Sequence, residues 1–282
     1  MGRALVKGGL RAMGYTSHRA RTDHGEVHFL RAKGHGALPP IVLLHGLGSR
    51  GFDYWSLTRR LREHVQAVYA PDLLGHGGSA LADVAHDAAS LTGALGAALA
   101  HALDEPAIVY GNSLGGLCAL RVAIDRPNLV RGLFLASPAG AASSADELGE
   151  LRRLLSVGSH GDAVRFLDTV IHDRSALHHV LAFGLRHRFG APTVSALVGE
   201  LDTSPAFAPE ELAGLRVPIH LFWGRGERLF PPSHLAFFRA HLPPHTVIDE
   251  ALGFGHAPHL DDVDGLAQRI LRFARSLPSA TT

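Results

Sequence analysis

Residues 111–115 read Gly-Asn-Ser-Leu-Gly, a serine with a glycine two positions to either side, and that spacing suits a nucleophile. An apolar strand pattern, Ala107 to Tyr110, runs into it, and a helical pattern, Leu114 to Asp125, runs out. So sharp a reversal lifts the Ser113 hydroxyl clear of the sheet edge, and it brings strand and helix too close for side chains at 111 and 115. The helix also begins beside the hydroxyl, so the Leu114 N–H and the positive end of the helix dipole face any oxyanion that forms there. A serine hydroxyl is too weakly acidic to attack unaided. It needs a histidine to take its proton and a carboxylate to orient that histidine.

Twenty histidines are available. His256 lies in a turn between the last strand pattern and the last helix pattern, where Gly253 and Gly255 give the backbone freedom. His259 falls three residues on, at a helix start and without such glycines. The two rings with Asp261 and Asp262 have a spacing that zinc accepts, but no partner motif occurs elsewhere, and no metal is expected. The carboxylates to consider are Glu227, Asp249 and Asp202.

The elements that would carry these groups alternate. Two strands flank a turn at Asp23-His24-Gly25 between Tyr15 and Leu30. Apolar runs follow at Pro40–Leu44, Val65–Ala70, Ala107–Tyr110, Leu133–Ala136 and Pro218–Trp223, with a last strand at Thr246–Asp249. Continuous apolar runs mark strands buried on both faces. Helical patterns lie near Tyr54–Glu63, Asp83–Leu103, Leu114–Asp125, Pro231–His241 and Val263–Leu277. Strand and helix in turn predict an α/β fold, a parallel sheet with helices on both faces. From about Gly140 to Leu212 the strand signal lapses, leaving helical patterns at Asp146–Leu155, Ala163–Ile171 and Ala176–Arg188. So long an interval is a helical insertion rather than a loop.

In this setting the chain resembles the α/β-hydrolase family over nearly its whole length. His45-Gly46-Leu47-Gly48, after the third strand, is similar to the family's oxyanion loop, and the resemblance implies that the Leu47 N–H is a second oxyanion donor. Ala70 to Ser79 resembles the loop after the fourth strand, in which Asp72 and His76 serve turn and packing; His45 is read as pinning its loop by hydrogen bonds. The family carries its base in the turn that holds His256, and its acid after the seventh strand, where this chain has Trp223-Gly224-Arg225-Gly226-Glu227. Asp is usual there. Glu227 is one methylene longer, so its backbone must stand farther off, and Asp249 and Asp202 remain alternatives. The family's other acid position, after the sixth strand, holds Ser137-Pro138-Ala139-Gly140 and offers no carboxylate.

The resemblance further implies a mostly parallel eight-stranded sheet, a core of residues 1–139 and 213–282, and a helical cap at 140–212. Phe166, Leu181 and Phe183 of that cap are expected to line a substrate pocket; at amphipathic spacing most cap apolar residues instead pack helix on helix. His178, His179, Arg186, His187 and Arg188 are read as a solvated face. The elbow, continued by Gly116, is also similar to that of hydrolases that cleave carbon–carbon bonds in ring-cleavage products, but those carry an aromatic residue after the base and this chain has Ala257.

Bulk properties narrow the field. Lys and Arg number 27 against 26 Asp and Glu, so no net field holds a nucleic acid, and a small-molecule substrate is expected. The single cysteine, Cys118, follows Ser113 by about a helical turn and reads as buried and inert. It can form no internal disulfide, which permits a reducing, cytoplasmic setting. Met1 to Tyr15 is basic and broken by Lys7 and Arg11, a short amphipathic helix or frayed start with no stable membrane insertion. A monomer or homodimer without cofactor is expected, cleaving a small or medium, largely apolar carboxylic ester. A carbon–carbon hydrolase, and a ligand-binding signalling protein with negligible turnover, are the alternatives.

Overall fold

The computed structural model describes residues 10–278 apart from 12, 82–86 and 174. Most of the expected N-terminal helix, and the first part of the helix expected at Asp83–Leu103, lie outside the described residues.

Eight strands carry the sheet: β1 Tyr15–Thr22, β2 Gly25–Lys33, β3 Ile41–Leu44, β4 Ala67–Pro71, β5 Ala107–Ser113, β6 Val130–Pro138, β7 Ile219–Gly224 and β8 Val247–Ala251. Their spatial order is β1-β2-β4-β3-β5-β6-β7-β8, with a two-residue strand, Ala80–Leu81, paired to β2. From β4 to β8 neighbours run parallel, while β1 and β2 are antiparallel entries. This is the mostly parallel sheet the sequence predicts.

All four side chains of β3 are buried because both sheet faces are covered. Val42, Leu44, Val109, Leu133, Leu135 and Leu221 face one apolar layer, and Ile41, Leu43, Ile108, Tyr110, Phe134 and Phe222 face the other. Helices α2 (Ala88–Ala102), α3 (Leu114–Asp125) and α9 (Pro232–His241) cover the first face; α1 (Trp55–Leu61) and α11 (Val263–Ser276) cover the second. Phe134 sits between Tyr110 and Phe222, with ring centroids 6.0 and 6.1 Å away. Truncating so enclosed a ring costs about 3–5 kcal/mol.

Between β6 and β7 come α4 (Ala145–Leu155), α5 (His160–Val170), α6 (Leu177–Phe189), α7 (Pro192–Gly199) and α8 (Pro209–Ala213). Helices α4 and α5 start in capping boxes, Ser144 with Glu147 and Ser159 with Asp162, which satisfy backbone donors the first turn leaves open. The sequence pattern misses α7 and α8, short helices of eight and five residues that offer too few turns to set a phase. The segment is tied to the core by the Arg188–Asp53 and Arg121–Glu211 ion pairs and by the Ala257 N–H, which donates to the Val170 carbonyl over 2.9 Å.

The strand order places the site. The chain leaves β3 towards β4 and then returns to β5 on the other side, so loops diverge between the carboxyl ends of β3 and β5. Open parallel sheets bind ligands in the crevice that such a reversal opens. The loop from His45 ends β3, and Ser113 ends β5.

Candidate active site

Ser113 has φ 55° and ψ −121°, in the left-handed range of φ that a side chain rarely adopts. The turn is held by close backbone packing. A Cβ at Gly111 would collide with the Gly115 carbonyl, and one at Gly115 with the Leu44 carbonyl. Strain of this kind persists only where the surroundings enforce it.

The loop after β3 lies against this serine, since a Cβ on Gly46 would stand 3.4 Å from the Ser113 Cβ. His45 fixes that loop. Its Nε2 accepts the Leu73 N–H at 3.0 Å, so Nδ1 carries the proton and donates to the Gly46 carbonyl at 2.8 Å. Complete burial lowers its pKa and keeps the ring neutral. His45 therefore pins the backbone that presents Leu47. Leu114, the first residue of α3, has an N–H with no partner inside the helix.

His256 is 4% exposed and lies between β8 and the short helix α10 (Pro258–Asp261). Its Nδ1 is 2.8 Å from Glu227 Oε2, so the ring donates there; its buried Nε2 has no hydrogen-bond partner among the described residues. The Ser113 and His256 side chains line the same cavity.

Glu227 is equally buried and richly served. Oε1 accepts the N–H groups of Leu229 and Phe230 at 2.8 and 3.1 Å, Oε2 meets His256, and the Ser137 hydroxyl donates as well. Burial pushes the carboxyl pKa up, but these partners outweigh it and hold the group below the usual range. The longer side chain is accommodated by a turn in which the Glu227 N–H returns to the Gly224 carbonyl. The alternative acids stand elsewhere. Asp249 pairs with Arg269 at 3.1 Å, and exposed Asp202 accepts the Ser204 N–H.

His259 is partly buried, its pKa lowered to about 4 by desolvation, with its ring 4.5 Å from that of Tyr54. It has no carboxylate partner of the kind His256 has. Asp261 accepts the backbone N–H groups of His172 and Gly255, and Asp262 caps α11, so both carboxylates are occupied structurally. Asp72 likewise accepts from Gly51, Gly78 and His28 in the turn it was assigned to. Cys118 is buried, and desolvation raises its pKa, which suppresses the thiolate.

Two contributors escape sequence reading. The Asn112 amide donates to the carbonyls of Ala136 and His256 at 3.0 and 2.8 Å, tying the turn at Ser113 to the His256 loop. Ser137, at φ 41°, ends β6 with its hydroxyl on Glu227. Only the positive φ marks Ser137 as special, and a sequence does not print it.

Of the residues expected in a pocket, Phe166 and Leu181 line the cavity at Ser113. Phe183 does not. It is 76% exposed with its ring tilted against that of His160, because Leu181, Gly184, Leu185 and Arg188 recur at helical spacing on the cavity face of α6 and Phe183 falls on the opposite one. The face expected to be solvated is divided. Arg186 and His187 are exposed, His178 is buried on Asp168 at 2.7 Å, and Arg188 turns in to Asp53 at the cavity.

A sequence model of the alpha/beta hydrolase family matches residues 41–269. The chain is 34% identical over 272 residues to a pimeloyl-[acyl-carrier protein] methyl ester esterase of Xanthomonas campestris pv. campestris, covering 87% of this chain and 98% of that one. Among solved structures it is similar to a carboxylesterase of Bacillus subtilis, with TM-score 0.78, 18% identity and 96% of each chain covered. It is similar also to the 2-hydroxy-6-oxo-6-phenylhexa-2,4-dienoate hydrolase of Rhodococcus sp. strain RHA1, with TM-score 0.80, 21% identity and 93% and 99% covered. At those identities the two structures bear on the fold alone.

Proposed function

Because this chain belongs to the alpha/beta hydrolase family, we propose that it hydrolyses small or medium, largely apolar carboxylic esters through an acyl-enzyme on Ser113. The observation that carries the reading is the His256 Nδ1 to Glu227 Oε2 hydrogen bond at 2.8 Å, which leaves Nε2 without a partner on a ring that lines the same cavity as Ser113.

Ser113 Oγ attacks the carbonyl carbon while His256 Nε2 takes its proton, and buried Glu227 stabilises the imidazolium that results. The carbonyl oxygen, now an oxyanion, is held by the Leu47 and Leu114 N–H groups. When the C–O bond breaks, Nε2 returns the proton to the leaving alcohol. It then deprotonates a water molecule that attacks the acyl carbon, and the acid leaves with Ser113 restored.

On the same reading, residues 140–212 act as a cap over the site, and the enzyme works on a soluble small molecule in a reducing compartment. The ester bond, rather than the full substrate, is what we carry over from the Xanthomonas relative. The test is hydrolysis of p-nitrophenyl butyrate with fluorophosphonate labelling located by mass spectrometry. We expect label on Ser113 and its loss, with turnover, in Ser113→Ala. An unlabelled, inactive wild-type protein overturns the reading, and turnover of a vinylogous diketone but no ester moves it to carbon–carbon cleavage.

A further inference from the structure

Ser113 stands between two cavities, not one. The first encloses about 360 Å³ and the second about 330 Å³, and only Leu47, Ser113, Leu155 and Leu229 line both. Each is of the size that holds a small organic ligand. A substrate joined to Ser113 at its carbonyl carbon therefore has room for one arm on either side.

Their chemistry differs. His256 and His259 line the first cavity alone, together with Arg50, Arg188 and Asp53. The second is walled by Leu114, Leu117, Leu148, Leu151, Leu197 and Leu201 from α3, the inserted helices and the segment after them. One end of it opens among exposed residues that include Glu200 and Asp202; His234 also lines it, bonded to Ser143 and kept neutral by burial, and among the described residues no Lys or Arg does.

Building on the ester reading, we infer that the second, leucine-walled cavity is the acyl-chain site and that it selects medium-length acyl chains without a terminal carboxylate. The assignment of arms follows from the proton. His256 Nε2 must reach the leaving oxygen, so the alcohol departs on the side His256 lines, which is the first cavity. The remaining substituent of the carbonyl carbon points away from the imidazole, past Leu114, into the second. A methylene chain gains from each apolar contact there. A carboxylate at its far end would meet Glu200 and Asp202, while the neighbouring Arg152 is held on the Gly199 and Leu201 carbonyls and does not line the cavity.

The experiment compares p-nitrophenyl acetate, butyrate, octanoate and the octanoate analogue carrying a terminal carboxylate, at low salt. Wild-type kcat/KM is expected to rise from acetate to octanoate and to fall by about fivefold on adding the terminal carboxylate, as suits two exposed like charges. Glu200→Gln with Asp202→Asn is expected to remove that penalty. Leu151→Trp and Leu201→Trp, on separate elements, are each expected to lower the octanoate-to-acetate ratio by about tenfold, since a filled cavity excludes methylenes. An octanoate-to-acetate ratio unmoved in labelled variants, or a wild-type enzyme indifferent to the terminal carboxylate, overturns the assignment. Failure of wild-type protein to take label or cleave any ester overturns the ester reading itself, so the two failures are distinct.

Discussion

The side-chain amide of Asn112 donates to the backbone carbonyl of His256 over 2.8 Å, joining the residue before the candidate nucleophile to the candidate base across the sheet end. The same amide holds the Ala136 carbonyl at 3.0 Å. Asn112→Ala leaves two buried acceptors unsatisfied, each worth about 1–3 kcal/mol. We expect a lower melting temperature and a fall in kcat of about ten- to a hundredfold with KM little changed, measured on p-nitrophenyl butyrate. A loss confined to KM would place Asn112 in substrate binding instead.

Glu227→Gln keeps the shape of the acid and removes its charge. The imidazolium then loses its stabilising partner and the Nδ1–H tautomer its enforcement, so kcat is expected to drop by about three to four orders of magnitude. Glu227→Asp, shorter by a methylene, cannot span from the same backbone to His256 and should recover only part of that loss. Steady-state kinetics decide, and an unimpaired Glu227→Gln protein would remove Glu227 from the reaction.

His45→Leu tests the loop rather than the triad. The Leu73 N–H loses its acceptor and the Gly46 carbonyl its donor, so the Leu47 amide is no longer held. We expect about a hundredfold lower kcat, the scale on which one oxyanion donor acts. Fluorophosphonate labelling should slow in parallel, since it forms a similar tetrahedral centre.

Acid sensitivity has a defined source. His76, which is buried, and His259, which is partly so, have pKa values lowered to about 4, by desolvation first and by a neighbouring histidine in addition. The unfolded chain takes up protons at these rings near pH 6.5, which the folded chain refuses until about pH 4, so stability falls as pH drops through that window. Each ring contributes up to about 3 kcal/mol of the loss. Urea unfolding at pH 7 and pH 4.5 measures it, and His259→Leu should flatten the dependence in part, since burial lowers His45, His220 and His234 as well; an unchanged slope would clear His259.

Much of this was legible in the chain. β3, β5 and β6 announce themselves through unbroken apolar runs, and β7 through one interrupted by His220, because helices cover both faces; Gly111 and Gly115 mark a turn that tolerates no side chain. What failed was phase and distance. Phe183 reads like its neighbour Leu181, and only the helix's seat on the cavity shows that they face opposite ways. Asn112 and Ser137 act on partners 144 and 90 positions away, His256 and Glu227, and no local pattern encodes such a meeting.

The inserted helices enter and leave at adjacent strand ends. β6 and β7 pair directly from Leu133 with Ile219 to Ala136 with Phe222, so the ladder closes beneath the insertion whatever its length. Leu148, Leu151, Leu155 and Leu197, which wall the second cavity, all belong to that insertion, whereas Ser113, Glu227 and His256 belong to the frame. On the proposed reading the inserted helices supply much of the selectivity and the frame the reactivity, and exchanging those helices as a cassette is expected to shift chain preference while β6 and β7 keep their register.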